Sequence, residues 1–171
     1  MGDPLELVDI VDENDIVLSQ TTKRDAHEKG FLHRCVIGLV INNNGDHVLV
    51  KQTSDRQDAG QYVSPVGGHV KAGESSEDAL KRETEEEIGL TDISFRFKGK
   101  GIFNREVLGR KENHYFILYE IDSDEDFIPG EEVDSYKTFS ISEIKKTLKS
   151  NPKLFGDAYH HQLKLFYPEL L

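Results

Sequence analysis

Residues 65–90 read PVGGHVKAGESSEDALKRETEEEIGL, and the second half of this segment predicts a helix with clear signals at both ends. Ser75 and Asp78, three residues apart, form a possible capping box, and Gly89 is a typical C-terminal stop residue. One apolar stripe repeats every four residues along it, at Leu80, Thr84 and Ile88. The pattern predicts a helix at about 76–89 that packs this stripe on a core.

The same helix carries many carboxylates. Residues three and four apart share a helix face, so Glu83, Glu86 and Glu87 project together, about a quarter turn from the apolar stripe. Carboxylates crowded on one face repel one another, and hard divalent cations such as Mg²⁺ remove that repulsion. Glu-rich helices are more often solvated surfaces, so the acids alone do not decide between a surface and a metal site.

The loop before the helix favours the metal site. Gly67 and Gly68 have no Cβ, so their backbone can approach the acidic face closely and lend a carbonyl oxygen to a metal. Arg82 and Glu74 can form an ion pair that fixes the loop against the helix. A simple loop–helix junction predicts glycine but not this array of charges.

These residues resemble a known signature. Gly68, Glu74 and the run Arg82-Glu83-Thr84-Glu85-Glu86-Glu87-Ile88-Gly89-Leu90 resemble the Nudix box of hydrolases that act on nucleoside diphosphates linked to another moiety. The spacing agrees at every charged and glycine position, and only Thr84 departs, where an aliphatic residue is preferred. The resemblance implies an α/β/α sandwich with a mixed β-sheet and a single domain over residues 1–171.

The resemblance also implies roles for individual residues. Glu83, Glu86, Glu87 and the Gly67 carbonyl would ligate Mg²⁺ or Mn²⁺, and Glu74 with Arg82 would orient them. The number of ions stays open. The general base would be Glu86 or a later glutamate, for which Glu112 is the best candidate because it precedes a strand and could fold back over the site. A solvated turn glutamate is an equally good reading of Glu112. Apart from the resemblance, three basic residues, Arg105, Arg110 and Lys111, would either hold substrate phosphates or be ordinary surface residues, as lone basic side chains usually are.

The rest of the chain predicts a mixed sheet with helices packed on it, because strand and helix patterns alternate irregularly. We expect a β-hairpin at about 5–20 and a core at about 33–171. Further strands are predicted at 35–41, 47–52, 93–103 and 114–121, and further helices at 22–30, 140–150 and 157–167.

A second resemblance covers the N-terminal half. Residues 7–14 and 33–36 resemble the isopentenyl-diphosphate-isomerase-like branch of the Nudix superfamily, whose isomerases use a metal bound by several histidines and a cysteine just before a Gly-His pair. Here Gly68 and His69 match that pair, but Gly67 stands at the cysteine position. Cys35 falls in a predicted buried strand, where a thiol is usually inert. Three histidines, at His27, His33 and His69, would be either counterparts of the isomerase ligands or ordinary surface and capping residues.

Three functions therefore follow from the sequence. The first is metal-dependent hydrolysis of a phosphoanhydride bond in a nucleoside diphosphate or related small diphosphate compound. The alternatives are an isomerase-like enzyme and a non-catalytic nucleotide-binding sensor. Nucleoside diphosphates, nucleotide sugars, dinucleotides and prenyl-type diphosphates all remain open as substrates.

Composition and charge reduce the number of possible classes of binding partner. The net charge of −11 disfavours a nucleic-acid polymer, and no apolar run approaches the roughly 20 residues that a membrane span needs. The acidic N-terminus argues against a secretory or transit peptide, and the single cysteine suits a reducing, cytoplasmic setting. The free edge of the N-terminal hairpin would permit a homodimer.

Overall fold

A single mixed sheet forms the framework of the chain in a computed structural model that describes residues 2–171. Its strands are β1 (Leu7–Val11), β2 (Val17–Thr22), β3 (His33–Ile41), β4 (His47–Gln52), β5 (Tyr62–Val63), β6 (Val66–His69), β7 (Ser94–Val107), β8 (Arg110–Asp122) and β9 (Val133–Phe139). Its helices are α1 (Lys23–Lys29), α2 (Ser76–Ile88), α3 (Ile141–Ser150) and α4 (Asp157–Phe166), with short 3₁₀ helices at Pro152–Leu154 and Pro168–Leu170.

Strand β3 is the centre of the sheet. It pairs in parallel with β8 and antiparallel with β1, β4 and β6. Val36 and Val40 point into one core with residues of α2, and Ile37 and Leu39 point into a second core with residues of α3 and α4. Because both faces are covered, the strand is apolar along its length, and the predicted α/β/α sandwich with a mixed sheet is confirmed.

Helix α2 follows its sequence signals. Ser75 is the N-cap and accepts a hydrogen bond from the Asp78 amide, and Gly89 ends the helix in the left-handed conformation at φ 72°. Thr84 is fully buried, and its hydroxyl donates to the Leu80 carbonyl at 2.6 Å, so the one departure from the box fits the core without an unsatisfied polar group. The helix therefore presents its carboxylates away from the core.

The region after α2 differs from the sequence prediction. Strands β7 and β8 form one long hairpin whose register runs from Ser94↔Asp122 to Val107↔Arg110, and the turn uses Leu108 and Gly109 at positive φ. The prediction of a loop between residues 103 and 114 is wrong, because both strands continue through this region up to the turn at Leu108 and Gly109. Charged residues are accommodated in these strands because Arg105 lies directly opposite Glu112, and opposite charges stabilise a cross-strand pair.

Strands β9 and β2 are exposed edge strands of the sheet. Strand β9 was not predicted; among the described residues it pairs with β4, and its residues from Asp134 to Thr138 are exposed. Strands β1 and β2 form the predicted hairpin, which leaves β2 largely exposed. Within residues 2–171 no helix is both long and apolar enough to cross a bilayer.

Candidate functional site

The acidic face of α2 lies against strand β6. Gly68 approaches Glu83 so closely that a Cβ on residue 68 would overlap the Glu83 carboxylate, whereas a Cβ on Gly67 would meet no atom within 4 Å. Glycine at 68 therefore leaves the space that the Glu83 carboxylate occupies, and a larger residue would displace that carboxylate. Both glycines lie at the junction of β6 and α2, as the sequence predicts, but only Gly68 is in close contact with the helix.

Arg82 ties the loop, the helix and β6 together. Its Nε and Nη2 donate to the two carboxylate oxygens of Glu74, each at 2.9 Å, which is a bidentate ion pair. Its Nη1 donates to Glu83 at 2.6 Å, and its Nη2 also donates to the backbone carbonyl of His69 at 3.1 Å. Although burial opposes the shift, hydrogen bonds from Arg82 and the Lys71 amide lower the pKa of Glu74, so this carboxylate is ionised.

The three carboxylates predicted as ligands differ in environment. The Glu83 side chain is 12% exposed, and burial raises its pKa despite the neighbouring Arg82. Burial and the negative charges of Glu83 and Glu132 raise the pKa of Glu87 to about 8. The Glu86 side chain is 60% exposed, with its nearest oxygen 3.8 Å from Arg82. Two largely buried carboxyl groups, those of Glu83 and Glu87, thus lie beside an accessible glutamate, and their raised pKa values favour the protonated form in the absence of a cation.

The other predicted site residues lie elsewhere. Alternation along β8 puts Glu112 on the face of His114 and Phe116, and Phe116 belongs to the core that α3 and α4 cover. Glu112 is buried and accepts hydrogen bonds from Arg105 and Arg110, each at 2.8 Å. Glu112 therefore does not sit in a loop above the acidic face.

The three residues predicted to bind phosphate do not lie together as one group. Arg105 also contacts Asp58 at 3.1 Å, and Arg110 reaches Gln57 at 3.2 Å. Lys111 is exposed and points to the other face of β8. The structure brings two of the three together, around Glu112.

A four-histidine cluster, formed by His27, His33, His69 and His114, occupies the face of the sheet opposite to α2. One ligand nitrogen of each lies within 4.8 Å of the others. The His27 Nε2 atom is 3.2 Å from the His69 Nε2 and 3.3 Å from the His114 Nε2. The sequence drew attention to three of these residues; it missed His114, which only the parallel pairing of His33 with His114 brings into the cluster.

The histidines of this cluster are uncharged at neutral pH. Burial, followed by the neighbouring positive groups, lowers the pKa of His27 to about 4. The pKa values of His69 and His114 are held well below their usual range for the same reasons, and burial lowers that of His33. Neutral imidazole is the form that binds metal ions.

Cys35 is a buried residue of β3, as predicted, and it pairs with His69 of β6. The pKa of its thiol lies well above the usual value. Burial is the main cause, and the negative charges of Glu112 and Glu83 add to it. A thiol of this kind is a poor nucleophile and a poor acid at neutral pH.

Comparison with known proteins gives consistent matches. The NUDIX domain family model matches residues 31–158. A Nudix hydrolase of Nostoc is 30% identical over 89% of this chain and 91% of its own. A Nudix hydrolase of Streptomyces coelicolor is 40% identical, but over 54% of either chain. An isopentenyl-diphosphate Delta-isomerase of Photorhabdus laumondii is 28% identical over 88% of this chain and 86% of its own.

Solved structures agree on the fold. A crystal structure from Deinococcus radiodurans superposes with a TM-score of 0.73, covering 95% of this chain and 99% of that one at 22% identity. The NUDIX domain of a Shewanella oneidensis protein, solved with ADP ribose, superposes with a TM-score of 0.57 at 15% identity, covering 78% of this chain and 83% of that one.

Proposed function

The chain belongs to the Nudix family, and on that premise we propose that it hydrolyses a phosphoanhydride bond in a small diphosphate compound with Mg²⁺ or Mn²⁺. The observation that carries the proposal is the packing of Glu83 on Gly68, with Arg82 and Glu74 bracing the junction. The named Nudix hydrolase relatives support the reaction class.

The residues present fit a hard divalent cation. Glu83 and Glu87 supply carboxylate oxygens, and the exposed Gly67 can offer its carbonyl from β6. The raised pKa of Glu87 reflects its burial first and then the negative charges of Glu83 and Glu132, and a cation at this place would favour the ionised carboxylate. A cation would also offset the repulsion between a chain of net charge −11 and an anionic substrate.

When bound, such an ion would supply charge neutralisation at the phosphate oxygens and a more acidic water. Glu86 is the proposed general base, because its side chain is exposed beside Glu83 and Glu87 and can take a proton from the attacking water. Arg82 holds the Glu83 carboxylate in a fixed orientation. Glu112 is the weaker candidate for the base, because Arg105 and Arg110 occupy its two oxygens.

The substrate class proposed is a nucleoside diphosphate linked to another group. The ADP ribose bound by the Shewanella domain is a compound of this kind and supports the choice. The phosphate contacts of Arg105, Arg110 and Lys111 stay a prediction.

Isomerisation is not proposed, although isomerases are among the relatives. Gly67 stands where the isomerase pattern has a cysteine, and Cys35 is buried in β3 with a raised pKa. The side chain for proton transfer is therefore missing at the position where the resemblance requires it.

The test is turnover of a panel of nucleoside diphosphate compounds, dinucleotides and isopentenyl diphosphate, with and without Mg²⁺, by wild type, Glu86→Gln and Glu85→Gln. Glu85 is the matched control because it is an exposed glutamate on the same helix but on another face. We expect Mg²⁺-dependent phosphoanhydride cleavage that Glu86→Gln lowers about 100-fold or more and Glu85→Gln leaves nearly intact.

Three results would contradict the proposal. Unchanged turnover by Glu86→Gln would remove the assigned role of that residue. Tight nucleotide binding without turnover would indicate a sensor. Conversion of isopentenyl diphosphate to its isomer would indicate the isomerase.

A further inference from the structure

The outer strand of the N-terminal hairpin, β2, has a free edge. Among residues 2–171, β1 is the one strand that pairs with β2, and Ala26 of α1 packs on the hairpin face that carries Val8 and Ile10. We infer that two copies of the chain form a homodimer in which β2 pairs antiparallel with β2 of the partner subunit. This inference does not depend on the proposed hydrolase activity.

Backbone groups of β2 are directed outward, where a second strand can bind them. The amide of Lys23, directly after β2, donates to the Glu6 carbonyl of the hairpin at 2.8 Å, so this amide faces β1. Alternation along the antiparallel ladder then turns the N–H and C=O groups of Thr22 and Gln20 away from β1. A row of such groups at a sheet edge is a template for pairing with another chain.

The edge lacks the residues that usually prevent such pairing. Residues 16–22 read IVLSQTT and contain neither a charge nor a proline, in a chain of which 31% is charged and whose net charge is −11. Natural edge strands are commonly protected by lysine, other charges or proline. Two copies that repel each other elsewhere can therefore approach along this segment without placing like charges opposite one another.

Both ends of the hairpin expose apolar side chains. Among residues 2–171, five of the twelve exposed large hydrophobic side chains lie within residues 5–18, at Leu5, Leu7, Ile16, Val17 and Leu18. Leu7 lies opposite Thr22 at one end of β2, and Val17 and Leu18 lie at the other end. Antiparallel pairing of two copies places the Val17 end of each beside the end that carries Leu7 of the partner subunit. Pairing would therefore remove apolar surface from water at both ends of the interface.

The charges that flank the edge complement one another. Exposed Glu13 lies in the turn before Val17, and exposed Arg24 follows Thr22. In the antiparallel arrangement Glu13 falls at the same end of the interface as Arg24 of the partner subunit, and the twofold axis repeats this arrangement at the other end. A surface that is complementary to itself in this way favours a second copy of the chain as the occupant.

The outward-facing groups also indicate the register. A bulge at Leu18 disturbs one end of β2, so Gln20 is the regular outward-facing residue nearest the middle of the strand. The twofold axis would then pass between Gln20 and Gln20 of the partner subunit, with their Cα atoms about 5.5 Å apart. Leu18 would lie opposite Thr22 of the partner subunit, four residues, or about 14 Å, from its own counterpart.

The first test is the mass of the full chain in solution. A pair of six-residue strands is a small interface, so we expect a dimer of about micromolar affinity that dissociates on dilution. Sedimentation equilibrium over concentrations around this value should show the mass rising from the 19.4 kDa of one chain to twice that value.

Three variants show whether the edge is responsible. Leu18→Lys adds a charge to the edge, and Gln20→Pro removes an outward N–H, a change that edge strands tolerate. Leu108→Lys is the matched control, because Leu108 is 68% exposed against 65% for Leu18 and lies in the turn between β7 and β8. The two edge variants should dimerise at least about 10-fold more weakly, and the control should match the wild type. Circular dichroism checks folding, and Leu18→Lys serves if Gln20→Pro does not fold.

The second test locates the axis by disulfide formation with oxidised glutathione. A disulfide needs Cα atoms about 4.4–6.8 Å apart, which the proposed register provides at Gln20 but not at Leu18. Gln20→Cys should therefore give a covalent dimer on a non-reducing gel, and Leu18→Cys should give far less. Cys35 is buried and does not compete.

Any of three results overturns the inference. The wild type would keep the mass of one chain at every concentration, a folded edge variant would associate as tightly as Leu108→Lys, or Leu18→Cys would cross-link as fast as Gln20→Cys.

Discussion

Replacing Gly68 by alanine tests whether the close approach of β6 to α2 holds the Glu83 carboxylate in place. The added Cβ would overlap that carboxylate, and the φ angle of Gly68 lies outside the left-handed region, so crowding is the only strain. Overpacking usually costs about 1–3 kcal/mol, and the lower end, about 1 kcal/mol, applies because the crowded atoms end a flexible side chain. A ligand displaced by about 1 Å can lower the rate about 100-fold. We therefore expect a large loss of kcat/KM with a small loss of stability.

The assay combines urea unfolding, followed by circular dichroism, with kcat/KM on the compound of the panel that the wild type cleaves fastest, at saturating Mg²⁺. Gly67→Ala is the matched control, because its Cβ would meet no atom within 4 Å and its carbonyl is retained. Its stability should change by less than about 0.5 kcal/mol, and its kcat/KM should fall far less than that of Gly68→Ala. Equal kcat/KM values for the two variants would refute the reasoning. It would also be refuted if Gly68→Ala were so unstable that the fraction of unfolded protein in the assay accounted for its lost activity.

Two further predictions concern the bracing arginine and a buried histidine. Arg82→Lys loses the bidentate contact with Glu74. The affinity for Mn²⁺, measured by electron paramagnetic resonance, should therefore fall about 10–100-fold. An unchanged affinity would show that the ion pair does not position the ligands. Burial lowers the pKa of His47, which contacts the Tyr159 hydroxyl at 2.8 Å, from 6.5 to about 4. The unfolded chain then binds a proton that the folded chain does not, so stability falls as the pH drops from about 6.5 to about 4, with about 2 kcal/mol lost by pH 5. Urea unfolding at pH 7.5 and 5.0 should therefore show a smaller loss for His47→Gln than for the wild type, and equal losses would contradict the assignment.

The helix and its loop were predictable because their signals are local. Ser75, Gly89 and the apolar stripe at Leu80 and Ile88 fix the start, end and buried face of α2 within a few residues of one another. The spacing of Glu74 and Arg82 predicted their ion pair for the same reason, since eight residues of loop and helix bring them together. Short-range sequence patterns carry this kind of information.

The four-histidine cluster was only partly predictable: the second resemblance drew attention to His27, His33 and His69, but no local pattern pointed to His114. His27 and His114 are 87 residues apart and come from a helix and a strand on different parts of the chain. Their contact depends on the parallel pairing of β3 with β8, whose register no short motif encodes. Glu112 was misplaced because charged residues suggested a loop, while its cross-strand partner Arg105 allowed a long hairpin.

The most direct test of the account is diffraction at the manganese absorption edge from crystals of the protein soaked in MnCl₂. An anomalous peak among the carboxylates of Glu83, Glu86 and Glu87, within reach of the Gly67 carbonyl, is the expected result. Crystals that stay catalytically active in Mn²⁺ but show no peak at α2 would contradict it.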